Sequence, residues 1–118
     1  MPLDETDAGA LWDMLDAALE IRQLVAGVDE EAYYNQRVLQ LANERLVEII
    51  GEAAHKVSDA VKVAHTEIPW RPIISQRHIL AHEYNAIIQE RIWRVATVHV
   101  PELIELLQRN FPDLSRAP

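Results

Sequence analysis

Apolar residues along this chain recur at every third or fourth position in long runs. Nowhere do they alternate with polar ones over enough residues to make a convincing strand. The pattern predicts helices. Over about Asp7 to Ala26, the residues Leu11, Leu15, Ala18, Ile21 and Val25 share one stripe, and Gly27 stands where a left-handed cap ends a helix. Asp29 is placed to cap a second helix, predicted from about Glu30 to His55 or a little beyond. Its stripe runs through Leu39, Ala42, Leu46, Ile49, Ala53 and Val57, and a second face carries Arg45, Glu48 and Glu52, again three or four apart. Gly51 inside that pattern costs about 1 kcal/mol relative to alanine, which close approach of another helix would explain.

Ser58 to Ala64 reads as a further short turn of helix. Ile68-Pro69-Trp70-Arg71-Pro72 is a break, because each proline disfavours helix in the residue before it, while Pro72 suits a first turn. A third helix is predicted over about Arg71 to Glu83. A fourth starts near Asn85 and carries Ile88, Ile92 and Val95 on one face. Pro101 withdraws a backbone donor, so this helix is expected to kink or restart there and to continue over Glu102 to Gln108. Phe111 to Pro118 is expected to be a loosely ordered tail. Four helices with short connections imply an all-α antiparallel bundle whose last helix is kinked or split. The 118 residues fit a single domain over 1–118, with its core over about 7–113.

Composition narrows the setting. The chain has no cysteine, which excludes a disulfide framework and a thiolate metal site. Met1 to Ala10 is acidic and lacks the basic-then-apolar order of an export signal. No apolar run approaches the roughly 18 residues of a membrane span, so a cytoplasmic location without membrane attachment is expected. A formal net charge of −8 argues against a general nucleic-acid binder, yet the charge is unevenly placed. Residues 1–60 hold 13 acidic and 4 basic residues, against 6 and 7 in 61–118, so an anion-handling site belongs in the second half. Trp12, Trp70 and Trp93 are most simply core or interface anchors.

Within that half, Arg77-His78-Ile79-Leu80-Ala81-His82-Glu83-Tyr84 gathers a permanent cation, two imidazoles, a carboxylate and a phenol into eight residues. Imidazole moves protons near neutral pH, and guanidinium clamps phosphate and steadies charge that develops on it. Together they suit RNA cleavage by the neighbouring 2′-hydroxyl, which needs a base, an acid and an anion stabiliser but no cofactor. Arg77 and His82 are five residues apart, about 500° of a regular helix, and so point about 140° apart. They can cooperate only where the helix ends near His82, or where Arg77 meets His82 of a second subunit.

The spacing Arg77, four residues, His82, one residue, Tyr84 is an Arg-x4-His-x-Tyr motif, and with it the chain resembles the HepT toxins of the HEPN superfamily of ribonucleases. Glu48-Ile49-Ile50-Gly51-Glu52-Ala53, Ile68-Pro69-Trp70, Trp93 and Pro101 also fall where that family would place them, so the resemblance covers roughly residues 7–113. It implies a metal-independent endoribonuclease toxin of a type II toxin-antitoxin pair, cutting RNA such as tRNA. Arg77 and His82 would form the cleaving pair in a cleft between the subunits of a homodimer. It also implies an MntA-like nucleotidyltransferase antitoxin that silences the toxin by attaching AMP to Tyr84. His78 stands where the family usually has a small polar residue, most often Asn, and can itself hydrogen-bond and contact phosphate. Glu48 and Glu52 are either an ion-pair ladder with Arg45 or support for Arg77 and His82. Two other readings of the residues stay open: a non-catalytic helical module that binds a nucleotidyltransferase or a nucleotide, and a metal site on His78 and His82, which are one helical turn apart.

Overall fold

Asp4 opens the first helix, its carboxylate accepting from the Asp7 backbone N–H at 2.7 Å. In this computed structural model the backbone is described for residues 3–82 and 86–114, and side chains for the same residues apart from 77–82, 86 and 87. Helix α1 spans Glu5–Val25 and buries Leu11, Leu15, Ala18 and Ile21, as the stripe predicts. Gly27 follows at a φ of 75°, the left-handed conformation that ends helices at glycine.

The predicted second helix is two. Asp29 does cap it, accepting from Ala32 N–H at 2.8 Å, but α2 covers only Glu30–Tyr34 before α3 begins at Arg37 and runs to Lys56. Side chains supply the stop. The Gln40 amide donates to the carbonyls of both Tyr33 and Tyr34 at 3.1 Å, and the Asn35 amide donates to Glu31 O at 2.9 Å. The orphan carbonyls of α2 are thus satisfied without continuing the helix, and Tyr33 is turned fully inward.

In α3 the buried line is Asn43, Val47, Ile50 and Ala54, rotated by one residue from the predicted stripe. Leu39, Ala53 and Val57 are buried as expected, while Ala42, Leu46 and Ile49 form a half-buried shoulder. The buried face is broad because α3 is packed by α1 on one side and by α5, Trp70–His82, on the other.

The short helix α4, Asp59–Ala64, is capped by Ser58. Asp7 on α1 reaches across to this cap, its two carboxylate oxygens accepting from Ser58 N–H and Oγ at 2.7 Å each. Beyond residue 85 the chain forms α6, Ala86–Arg94, then a π-helical turn over Val95–His99, then α7, Val100–Asn110, which packs on α1. The last helix is therefore split ahead of Pro101, as predicted.

The main core joins α1, α3, the start of α5 and α7, and a smaller one gathers Tyr33, Leu39, Ile88 and Ile92 with Trp93 at its edge. No strand occurs among the described residues, and none of their helices is long and apolar enough to cross a membrane. Phe111 and Leu114, expected in a loose tail, are packed instead. Phe111 is buried, its ring centroid 4.4 Å from that of His65, and Leu114 packs against the core, because these apolar side chains close the end of the bundle.

Candidate active site

Arg77 and His82 of the motif lie on α5, whose start is firmly held. The Trp70 indole N–H donates to His65 O at 3.0 Å, Ile73 is buried in the main core, and Trp70 itself is only 9% exposed, which leaves it no face for a base. Helical backbone continues from Trp70 to His82. Arg77 and His82 are therefore separated by five true helical steps, and the offset of about 140° around the axis applies to this chain. His78 and His82, four steps apart, share a side of the helix. The side chains of Arg77, His78 and His82, and all of Tyr84, lie outside the described residues, so the structure fixes the register of the first three and not their contacts.

Glu48 and Glu52 take the ladder geometry. The Arg45 guanidinium lies 2.7 Å from Glu48 and 3.7 Å from Glu52, and all three side chains are more than 40% exposed. Such surface pairs contribute little stability. Among the described residues no group of three His, Asp or Glu side chains is placed to hold a metal ion; the pair His78 and His82 falls outside them.

A polar network ties α6 to α2 and α3. The Tyr33 hydroxyl donates to Gln89 Oε1 at 2.8 Å, the Gln89 amide donates to Glu44 at 3.2 Å, and Arg37 lies 3.4 Å from the same Glu44 oxygen. It joins α2, α3 and α6. Burial pushes the Tyr33 phenol up to about 12; the adjacent Asn43 amide opposes that shift, while Glu44 adds to it. Asn43 is fully buried, and among the described residues neither amide atom reaches a partner with hydrogen-bonding geometry. Sequence reasoning passed over Asn43 because a polar residue breaks an apolar stripe.

It also passed over Gln76 and His99. Gln76 directly precedes Arg77 in the chain, and His99 ends the π-helical turn; the two share the walls of adjoining cavities beside α5. Pro101 was the available signal, since it marks where a helix must be disturbed.

The family model for HepT-like ribonucleases matches residues 14–110, which takes in most of α1, all of α3 and α5, and the split last helix. The chain belongs to the HepT-like ribonuclease family. Among the relatives of this HepT-like chain is one named as an RNase from Caldanaerobacter subterraneus subsp. tengcongensis, 34% identical over 90 residues, covering 73% of this chain and 80% of that one. Another, named as a ribonuclease HepT, comes from Thermococcus cleftensis and is 30% identical over 93 residues, 79% of this chain and 84% of that one. A third, named as an RNase from Methanocaldococcus jannaschii, is 27% identical over 93 residues, 79% of this chain and 85% of that one. No solved structure matches the chain.

Proposed function

We propose that this HepT-like ribonuclease is the toxin of a type II toxin-antitoxin pair, a cytoplasmic, metal-independent endoribonuclease that works as a homodimer on RNA, with tRNA a candidate substrate. The observation that supports it is the register of Arg77 and His82 on one unbroken helix, within the span that matches the family. Positions about 140° apart on a continuing helix do not face one phosphate from the same chain, and His82 is the last residue described in α5. A two-fold contact between copies removes the difficulty, because it sets Arg77 of one subunit opposite His82 of the other.

In that cleft His82 takes the proton of a ribose 2′-hydroxyl as the 2′-oxygen forms a bond to the adjacent phosphorus. Arg77 holds the phosphoryl oxygens and stabilises the charge that builds on them in the transition state. The bond from phosphorus to the 5′-oxygen then breaks, and the leaving oxygen takes a proton from an imidazolium. The products are a 2′,3′-cyclic phosphate and a 5′-hydroxyl. His78, one turn from His82 on α5, is a supporting contact to phosphate. Tyr84, two residues beyond His82, is the control point, where transfer of AMP by an MntA-like nucleotidyltransferase would add bulk and negative charge beside the cleft and repel the substrate.

RNA cleavage in the presence of EDTA tests the reading. Wild type is expected to cut, and Arg77→Ala and His82→Ala to be slower by about 10²- to 10⁴-fold, the usual contribution of such groups. Equal rates in all three proteins would remove the proposal, and full-strength binding of a nucleotidyltransferase without any cleavage would favour the non-catalytic module.

A further inference from the structure

We propose that the groove opened by the π-helical turn Val95–His99 seats one nucleotide of the RNA, its base in an apolar cavity and its phosphate on Arg94 and His99. The inference rests on the ribonuclease reading above and names a subsite of that same function.

The turn has a covalent cause. Pro101 has no N–H to offer the Thr97 carbonyl and its ring crowds that oxygen. The Thr97 hydroxyl also donates back to Trp93 O at 2.7 Å, a contact that bends helices. The chain responds with a wider turn in which Val100 N–H reaches Val95 O, five residues back instead of four. That extra residue places His99 on the side facing α5.

There His99, Val95 and Gln76 are common to two adjoining cavities of about 170 and 230 Å³. The smaller has apolar walls of Val47, Ile88, Ile92 and Val95, and a rim of Gln76, Arg91, Arg94 and His99. Apolar walls suit the face of a base, an amide suits its polar edge, and guanidinium with imidazole suits phosphate. Among the described residues no carboxylate lines it. Carboxylates do stand nearby, since Glu102 lines the second cavity and Glu30 and Glu90 line a cleft that shares Arg91 and Arg94. Arg94 is exposed and has no carboxylate within ion-pair distance among the described residues. Gln76 sets the groove one residue from Arg77 in the sequence of α5.

A short single-stranded 2′-O-methyl RNA, which lacks the hydroxyl that cleavage requires, serves as probe with the full-length protein, alongside the same strand carrying abasic positions. Arg94→Ala is expected to weaken binding about tenfold and to reduce the slope of log affinity against log salt by about 0.7, the mark of one lost phosphate contact on a single strand. Val95→Phe, which fills the shared wall, is expected to leave the salt slope unchanged while abolishing the preference of wild type for the intact strand over the abasic one. Both variants binding as wild type, with unchanged circular dichroism, would overturn the groove, as would a shift in oligomeric mass on Val95→Phe, which would make this face a subunit contact. If wild type cuts ribose-containing RNA while both variants bind normally, only the groove falls. If wild type neither binds nor cuts RNA, the ribonuclease reading falls with it.

Discussion

Asn43 sits at the centre of the face that α3 buries, beside the Tyr33 phenol, with neither amide atom in good hydrogen-bonding geometry among the described residues. A buried amide without partners costs roughly 1–3 kcal/mol, and leucine keeps the same branching, with bulkier apolar ends, without that cost. Asn43→Leu should therefore raise the unfolding free energy by about that amount in urea titrations; a lower value would show that the amide has a partner in solution. The same residue explains why the α3 stripe was read one position off, since Asn43 made Ala42, Leu46 and Ile49 look like the centre. Tyr33 carries a pH dependence. Its phenol is raised by burial from an ordinary 10 to about 12, so the folded state holds the proton more tightly than the unfolded one. Its contribution is complete below pH 10 and is lost as pH rises toward 12. Thermal melts across that window should show a shallower alkaline decline in Tyr33→Phe, with a residual slope from Tyr34, also raised to about 12. An unchanged decline would contradict the burial of this hydroxyl.

Among the elements, the helices announced by strong periodicity and by Gly27 and Asp29 were legible, because caps and apolar spacing are local properties. The break between α2 and α3 was not, since the Gln40 amide that satisfies the carbonyls of Tyr33 and Tyr34 acts across a turn that no periodicity marks. Pro101 announced a disturbance but not its kind, as a proline fixes which donor is missing and not how the carbonyls before it are rearranged. Asp7 lay inside a predicted helix as an ordinary polar residue, yet it ties α1 to the cap of α4 through two hydrogen bonds at 2.7 Å. Losing that charge-assisted pair should cost about 2–4 kcal/mol. Asp7→Ala is thus expected to lower the melting temperature and to speed amide exchange in Asp59–Ala64 before the rest of the chain. Uniform exchange across all helices would mean that α4 does not depend on this anchor.

At the scale of the whole molecule, charge and register act together. The first half of the chain is acidic and the second slightly basic, so on the proposed reading RNA is expected to be repelled from most of the surface and drawn toward the cations of the second half. The motif itself was legible in the sequence as Arg77, His82 and Tyr84; how its members would meet was not, because the first two positions are about 140° apart on a helix and a contact with a second copy leaves no local mark in the sequence. The central claim is that each cleaving pair is shared between two copies. Mixing inactive Arg77→Ala with inactive His82→Ala, after exchange of subunits, tests it most directly. Random pairing makes half of the dimers mixed, and one of the two clefts in each then holds an intact Arg77 and an intact His82, so RNA cleavage should return to about a quarter of the wild-type rate. A mixture as inactive as either variant alone, with subunit exchange verified by mass, would place both side chains in the same chain and contradict the account.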